Sequence, residues 1–213
     1  LGTELLETND RQTAFIDDAL GRQLDALVHE WTNAYTQPLD GSTNLEAAMS
    51  SARVRGIVQV TPVGNLNASD KHAIRGGSPF ELEFEVDDGF EFEGETLPYH
   101  TLFGSLQWAG DPNGVSVTLE APGGESVTVE VAGGGSTMIG NARFEVASEE
   151  TARGHGYVEF YLESQVDQTS LARGRWRVRV DGLDSAVELW ARISDTYSDW
   201  RGGVGWVDST RDR

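Results

Sequence analysis

The chain has 213 residues, of which 38% are hydrophobic and 25 are glycine, and this is enough apolar material for a folded core. Its 35 acidic and 16 basic residues give a formal net charge of −19, which disfavours nucleic acid and anionic membranes as partners because phosphate binding needs clustered positive charge. No apolar run approaches the roughly 18 residues of a membrane span, and the absence of cysteine excludes disulfides and Cys-based zinc sites while leaving the compartment unknown.

The amino-terminal part predicts two helices. Apolar residues recur at steps of three and four over 9–31, which is typical of an amphipathic helix, with Gly21 as an interruption. A Pro- and Gly-containing break follows. Ser42 or Thr43 then stands in the N-cap position of a second helix that continues to Ala52.

The next stretch, 56–65, contains a β-branched run bounded by glycine that ends in Gly64-Asn65, and it predicts a buried parallel strand. Ligands of open α/β sheets bind just beyond the carboxyl ends of such strands, and Asn65 stands there. A side-chain amide in that place can donate to negative charge developing on a carbonyl oxygen. A turn asparagine with no further function is the alternative.

From His72 onward the chain predicts an antiparallel β-sandwich, because short alternating runs follow one another without helices between them. The stretch 121–125 is typical of a hairpin turn, and 133–135 of a flexible loop. The predicted strands are 80–86, 103–108, 115–121, 126–131, 142–147, 157–162, 174–180 and 186–193.

Acidic residues alternate with Phe, Leu and Val over 80–95, which predicts strands with one solvated face. The sharper alternative is a Ca²⁺ site in the loop Asp87-Asp88-Gly89, because Ca²⁺ takes oxygen ligands that loops bring together. No other cofactor and no other metal is expected. Three arginines in 174–180 form a stripe that we expect to face solvent and balance neighbouring acids.

Tryptophans are concentrated near the carboxyl end of the chain. Trp190, Trp200 and Trp206 could stack on sugar rings if they are exposed. Tryptophans also bury large apolar areas, and the alternative is that they anchor this segment against a neighbouring domain.

Several of these stretches resemble the subtilisin-like serine proteases: 1–3, 40–49, 55–60 and 63–65. In that family a strand ending in Ser-Leu-Gly lines the substrate cleft, a helix follows, and the next strand ends in Ala-Ala-Gly-Asn. The resemblance implies that Asn65 is the oxyanion donor. It also implies that Leu1, Gly2, Thr3 and Gly64 bind substrate, the first three as an added strand beside an extended peptide.

The run 174–180 resembles the Gly-x-Trp-x-Val-x-Val pattern of jelly-roll domains attached to these proteases. The resemblance implies an α+β fold in which a partial subtilisin-like α/β segment, 1–73, precedes a jelly-roll β-sandwich, 74–195. Residues 196–213 then return to the catalytic domain. In this register Trp176, Val178 and Val180 face the core.

The family's catalytic triad motifs are absent from these residues: Asp-Thr/Ser-Gly, His-Gly-Thr and Gly-Thr-Ser-Met-Ala. Since nucleophile, base and orienting acid must act together, we expect no peptide hydrolysis by this chain alone. The partners implied are the remaining segments of the same protease and a peptide or protein substrate. A non-catalytic module that binds glycan or protein and an inactive protease homologue are the alternatives.

Overall fold

The structure is a computed structural model that describes residues 2–22, 24–28, 38, 40–60, 70–166, 170–195 and 203–207, with the backbone alone for 2–10. The chain forms two compact units. Unit 1 comprises Leu1–Gly64 with Thr151–Arg153, and unit 2 comprises Asn65–Glu150 with Gly154–Arg213. The three-part division predicted from the sequence stays a prediction.

Unit 1 contains two helices and a two-stranded parallel sheet. The elements are α1 (Gly2–Gly21), β1 (Ala26–Val28), α2 (Asn44–Val54) and β2 (Val58–Val60). β1 pairs with β2 in parallel. A small apolar core joins the helices to one face of this sheet and contains Ile16, Ala19, Leu27, Ala48, Ala52 and Ile57. No helix in the described part of the chain is long and apolar enough to span a membrane.

The first helix differs from the prediction at both ends: it begins at Gly2, so the predicted cap at Asn9 or Asp10 is wrong. It ends at Gly21, because glycine has the poorest helix propensity after proline, and the apolar residues beyond it enter β1 instead. Leu27 is buried while Val28 is 66% exposed, which is the alternation of a strand.

The predicted cap of the second helix is confirmed, and Thr43 provides it. The Thr43 hydroxyl accepts the main-chain N–H of Glu46 at 3.2 Å, and the Glu46 carboxylate accepts the N–H of Thr43 at 3.2 Å. This reciprocal capping box explains why α2 begins where it does.

The predicted α+β fold class, with a partial subtilisin-like α/β segment, is wrong. The protein is mostly β, and its described sheets are antiparallel apart from the short β1–β2 pair. β2 is parallel as predicted, but only its neighbour Ile57 is buried, while Val58 and Val60 are 59% and 50% exposed. A strand of an α/β sheet is covered on both faces, and β2 is covered on one.

Unit 2 is built from strands. They are β3 (His72–Gly76), β4 (Phe80–Val86), β5 (Phe90–Phe92), β6 (Glu95–Leu97), β7 (Thr101–Ala109), β8 (Ser116–Glu120), β9 (Ser126–Glu130), β10 (Gly135–Ile139), β11 (Ala142–Glu150), β12 (His155–Ser164), β13 (Gly174–Asp181) and β14 (Glu188–Asp195). They form a six-stranded sheet in the order β10-β11-β12-β7-β14-β3, a four-stranded sheet in the order β4-β13-β8-β9, and the separate β5–β6 hairpin. None of these described sheets closes into a barrel.

The two larger sheets share one hydrophobic core, as in a β-sandwich. Side chains of β13 and β4 alternate in register: Trp176 lies opposite Phe84, and Val178 opposite Leu82, all of them buried. The predicted inward face of 174–180 is therefore confirmed. All the predicted strands are present, and 121–125 is the predicted hairpin turn between β8 and β9.

Four strands of unit 2 are missing from the list of predicted strands: β3, β5, β6 and β10, of which β5 lies within the alternating stretch 80–95. β3 is short and lacks strict alternation, since its sequence is His-Ala-Ile-Arg-Gly. Gly135, which was predicted to belong to a flexible loop, is the first residue of β10. A glycine-rich sequence indicates a turn when it is considered locally. Gly135 is nevertheless part of a strand, because β10 pairs with β11.

The arginine stripe of β13 faces solvent and pairs with acids on the neighbouring strands, as predicted. Arg177 contacts Glu83 at 2.9 Å and Glu120 at 3.5 Å, and Arg175 contacts Glu83 at 3.3 Å. The hydrogen bond from Arg177 lowers the pKa of Glu83 below its usual value.

The described segment 203–207 contributes Trp206 to the core of the sandwich, and this side chain is 1% exposed. Its ring meets Phe84 edge-on, with centroids 5.9 Å apart, and Phe84 in turn stacks on Trp176. Trp206 is therefore an anchor within unit 2, and it is too deeply buried to stack on a sugar. Trp200 lies outside the described residues.

We expect Trp206→Ala to lower the free energy of unfolding by about 3 to 5 kcal/mol, because it removes a buried aromatic side chain and leaves a cavity. The matched control is Val207→Ala. Val207 is 42% exposed, and the expected loss is within about 0.5 kcal/mol. Denaturant unfolding followed by far-UV circular dichroism measures both, and equal losses would contradict the assignment.

Candidate functional site

The residues predicted to bind substrate or stabilise the oxyanion lie mostly outside the described part of the chain. This holds for Leu1, Gly64 and Asn65. Gly2 and Thr3 belong to the first turn of α1, so their backbone is helical there and not extended. The described residues therefore do not display the predicted site, and these functions stay predictions.

The first described residue of unit 2, Asp70, lies next to its last described segment, 203–207. The main-chain N–H of Trp206 donates to the carbonyl of Asp70 at 2.7 Å, and the N–H of Ile193 donates to the carbonyl of Lys71 at 2.9 Å. Asp70 follows the stretch that contains Asn65. Asp70 and segment 203–207 are thus adjacent in the structure.

A buried ion pair fixes this junction. Lys71 Nζ lies 3.3 Å from Asp195 Oδ2, and the two side chains are 4% and 0% exposed. Val204 contacts both, since its carbonyl accepts from Lys71 Nζ at 2.5 Å and its N–H donates to Asp195 Oδ2 at 2.8 Å. Burial lowers the pKa of Lys71, and the Asp195 carboxylate opposes this shift. The sequence offered one signal for the pair, namely that Lys71 is the only lysine.

A second polar cluster lies on the outer face of the six-stranded sheet, centred on Glu159. The neighbours of Glu159 in β12, Val158 and Phe160, belong to the core, so Glu159 projects from the opposite face. Tyr157 donates to one of its carboxylate oxygens at 3.2 Å and Tyr161 to the other at 3.1 Å.

Burial dominates the electrostatics of this cluster. It raises the pKa of Glu159 above its usual value, against the two tyrosine hydrogen bonds that favour the carboxylate. Burial likewise raises the pKa of both Tyr157 and Tyr161, and the Glu159 carboxylate adds to these shifts. The tyrosines are therefore hydroxyl donors at neutral pH, and Glu159 is an acceptor whose negative charge is opposed by burial.

The same face continues toward β14 with further polar and aromatic groups. Arg192 donates to the side chain of Gln107 at 3.2 Å, and Gln107 lies 3.5 Å from Nδ1 of His155. Trp190 is 45% exposed, and its ring lies 5.6 Å from that of His72. These groups can hydrogen-bond and stack, which is the chemistry of recognition.

The loop proposed for Ca²⁺ is engaged in other contacts. Asp88 forms a salt bridge with Arg173, and Asp87 accepts the main-chain N–H of Gly89 at 3.0 Å. Across the described ranges, no cluster of three or more His, Asp or Glu side chains is placed to hold a metal ion. The described residues thus offer no support for a Ca²⁺ site.

Comparison with known proteins shows a similarity in fold to a solved structure and no similarity in sequence family. No protein-family model matches the sequence, and no curated protein matches it. The chain is similar to the solved structure of the CspB protease of Clostridium perfringens, with a TM-score of 0.65 at 17% sequence identity. The match covers 99% of this chain and 42% of that one, so the chain spans less than half the length of that protease. It has the fold of part of a protease.

We expect Glu159→Gln to gain stability over the wild type as pH rises. The raised pKa means that the folded protein holds the Glu159 proton more tightly than the unfolded chain, so the wild type loses stability from the unfolded pKa upward through the folded one. Glutamine keeps an acceptor for a tyrosine and removes the charge. Melting temperatures of both proteins at pH 4 and pH 8 measure the effect.

The control for this comparison is Glu163→Gln, which removes one carboxylate from the same strand and leaves the acceptor of Tyr157 and Tyr161 intact. The melting-temperature difference between Glu159→Gln and wild type should grow from pH 4 to pH 8 and exceed that of the control. A difference that stays constant with pH refutes the assignment.

Proposed function

We propose that this chain is the central portion of a subtilisin-like serine endopeptidase. It supplies the oxyanion-hole asparagine, Asn65, and an inserted β-sandwich, and it does not hydrolyse peptides alone. Two facts support the proposal: the fold likeness to part of a protease, and the Gly64-Asn65 sequence after β2.

The observation that carries the inserted-domain part of the proposal is that Asp70 and segment 203–207 of unit 2 are adjacent. An inserted domain must receive and return the chain at nearly the same point, since the host fold continues on either side of it. The hydrogen bond between Trp206 and Asp70 satisfies this requirement, and the pair formed by Lys71 and Asp195 holds it.

In the proposed reaction, a serine from another segment attacks the peptide carbonyl and a histidine takes its proton. The carbonyl oxygen becomes an oxyanion as the tetrahedral intermediate forms. The Asn65 amide donates to that oxygen, and this interaction is stronger in the transition state than in the ground state. Leu1, Gly2, Thr3 and Gly64 bind the extended substrate. Gly2 and Thr3 must then leave the helical conformation of α1 to pair with it.

Asn65→Ala, made in the complete protease that includes this chain, is expected to lower kcat about 100- to 1,000-fold with little change in KM. The reason is that the lost donor acts on charge that exists only in the transition state. Steady-state hydrolysis of a peptide substrate measures both constants.

Asn67→Ala is the matched control, because it deletes the same amide two positions later. Its kcat should stay near that of the wild type. If Asn65→Ala leaves kcat unchanged, the oxyanion assignment is wrong. If the complete polypeptide shows no hydrolysis at all, the inactive-homologue alternative is favoured.

A second candidate function is recognition of glycan by the sandwich, and the exposed ring of Trp190 beside His72 favours it. Trp190→Ala should then abolish binding to an immobilised oligosaccharide panel. Met138→Ala, which removes a side chain exposed to 49% on β10 of the same sheet, should leave binding intact. Absence of binding by the wild-type chain rejects this function.

A further inference from the structure

The only lysine of the chain is held against a carboxylate in the interior of the sandwich. Lys71 immediately precedes β3, and Asp195 is the last residue of β14, the strand that pairs with it. Their side chains are 4% and 0% exposed, with Nζ and Oδ2 3.3 Å apart. An amine and a carboxyl group are the two groups from which an amide bond forms, and here they are held in contact.

Both groups are oriented by the same residue. The Val204 carbonyl accepts from Lys71 Nζ at 2.5 Å, and the Val204 N–H donates to Asp195 Oδ2 at 2.8 Å. Intramolecular groups that are fixed in contact reach effective molarities of about 10⁵ M or more. The Val204 N–H also points at the oxygen on which negative charge develops when a nucleophile attacks the carboxyl carbon.

Burial also favours the uncharged form of the Lys71 amine. Two charges that are removed from water lose much of their solvation, and the geometry of a single ion pair repays this only in part. Burial shifts the pKa of Lys71 downward, so Nζ gives up a proton more readily than an exposed lysine does. In the reaction this proton passes to the Asp195 carboxylate, and the uncharged amine is the nucleophile.

We propose that Lys71 and Asp195 are joined by an intramolecular amide bond. The Nζ lone pair attacks Cγ of the protonated Asp195 carboxyl, and the Val204 N–H stabilises the oxygen that takes up the charge. The amine then loses a proton to the departing hydroxyl, the C–O bond breaks, and one water molecule leaves. Atoms and charge balance without any oxidant or co-reactant.

Such a bond connects the first strand of the six-stranded sheet to the last strand in the sequence, β3 to β14. It closes a covalent loop around nearly the whole of unit 2 in a chain that has no cysteine for a disulfide. Closing a long loop lowers the conformational entropy of the unfolded state, as a disulfide does. The inference is independent of the proposed protease function.

The test is the mass of the purified wild-type protein. Denaturing electrospray mass spectrometry should give the sequence mass less one water molecule. Trypsin should then fail to cleave after Lys71 and should yield one branched peptide that joins residues 56–75 to 193–201. The unmodified sequence mass, free cleavage after Lys71, or water loss located elsewhere overturns the proposal.

Two variants discriminate further. Lys71→Arg keeps the positive charge but cannot form this amide, so it should show the full sequence mass and no branched peptide. Asp195→Asn loses ammonia where the wild type loses water, so it should reach the same final mass as the wild-type protein. Full mass for Asp195→Asn after prolonged incubation of folded protein contradicts the mechanism.

Discussion

The structure of unit 2 depends on one constraint, the burial of the Lys71 and Asp195 side chains at the junction of its two ends. Neither side chain reaches solvent, so each needs the other, and Val204 completes the set. Segment 203–207 is therefore held by polar contacts that are costly to break, while Trp206 adds apolar burial on the same segment. Asp70 and segment 203–207 are consequently held next to each other within unit 2.

Under the proposed function, the adjacency of Asp70 and segment 203–207 lets a host fold continue on either side of the sandwich. A unit that receives and returns the chain at one place adds no requirement on the fold that surrounds it. The proposed oxyanion role belongs to Asn65. The proposed covalent bond between Lys71 and Asp195 depends neither on that role nor on the likeness to a protease.

The outer face of the six-stranded sheet follows a different principle from the outer face of the four-stranded sheet. On the four-stranded sheet, Arg177 and Glu83 are opposite charges near solvent, and such pairs contribute little to stability. On the six-stranded sheet, Glu159 is half-buried between two tyrosines and Arg192 is buried beside Gln107, so hydrogen bonds replace hydration. Buried polar groups of this kind fix side-chain geometry more than they add stability.

The sequence by itself determined the strands of the sandwich and the Thr43 cap, because alternation and capping are local and a few neighbouring residues decide them. Only the tertiary structure decided that β2 is not a strand of a covered α/β sheet, since β2 has a strand sequence but its burial depends on what packs against it. The contact between Lys71 and Asp195 was equally out of reach. It joins residues far apart in the chain, and no periodicity records which strands become neighbours.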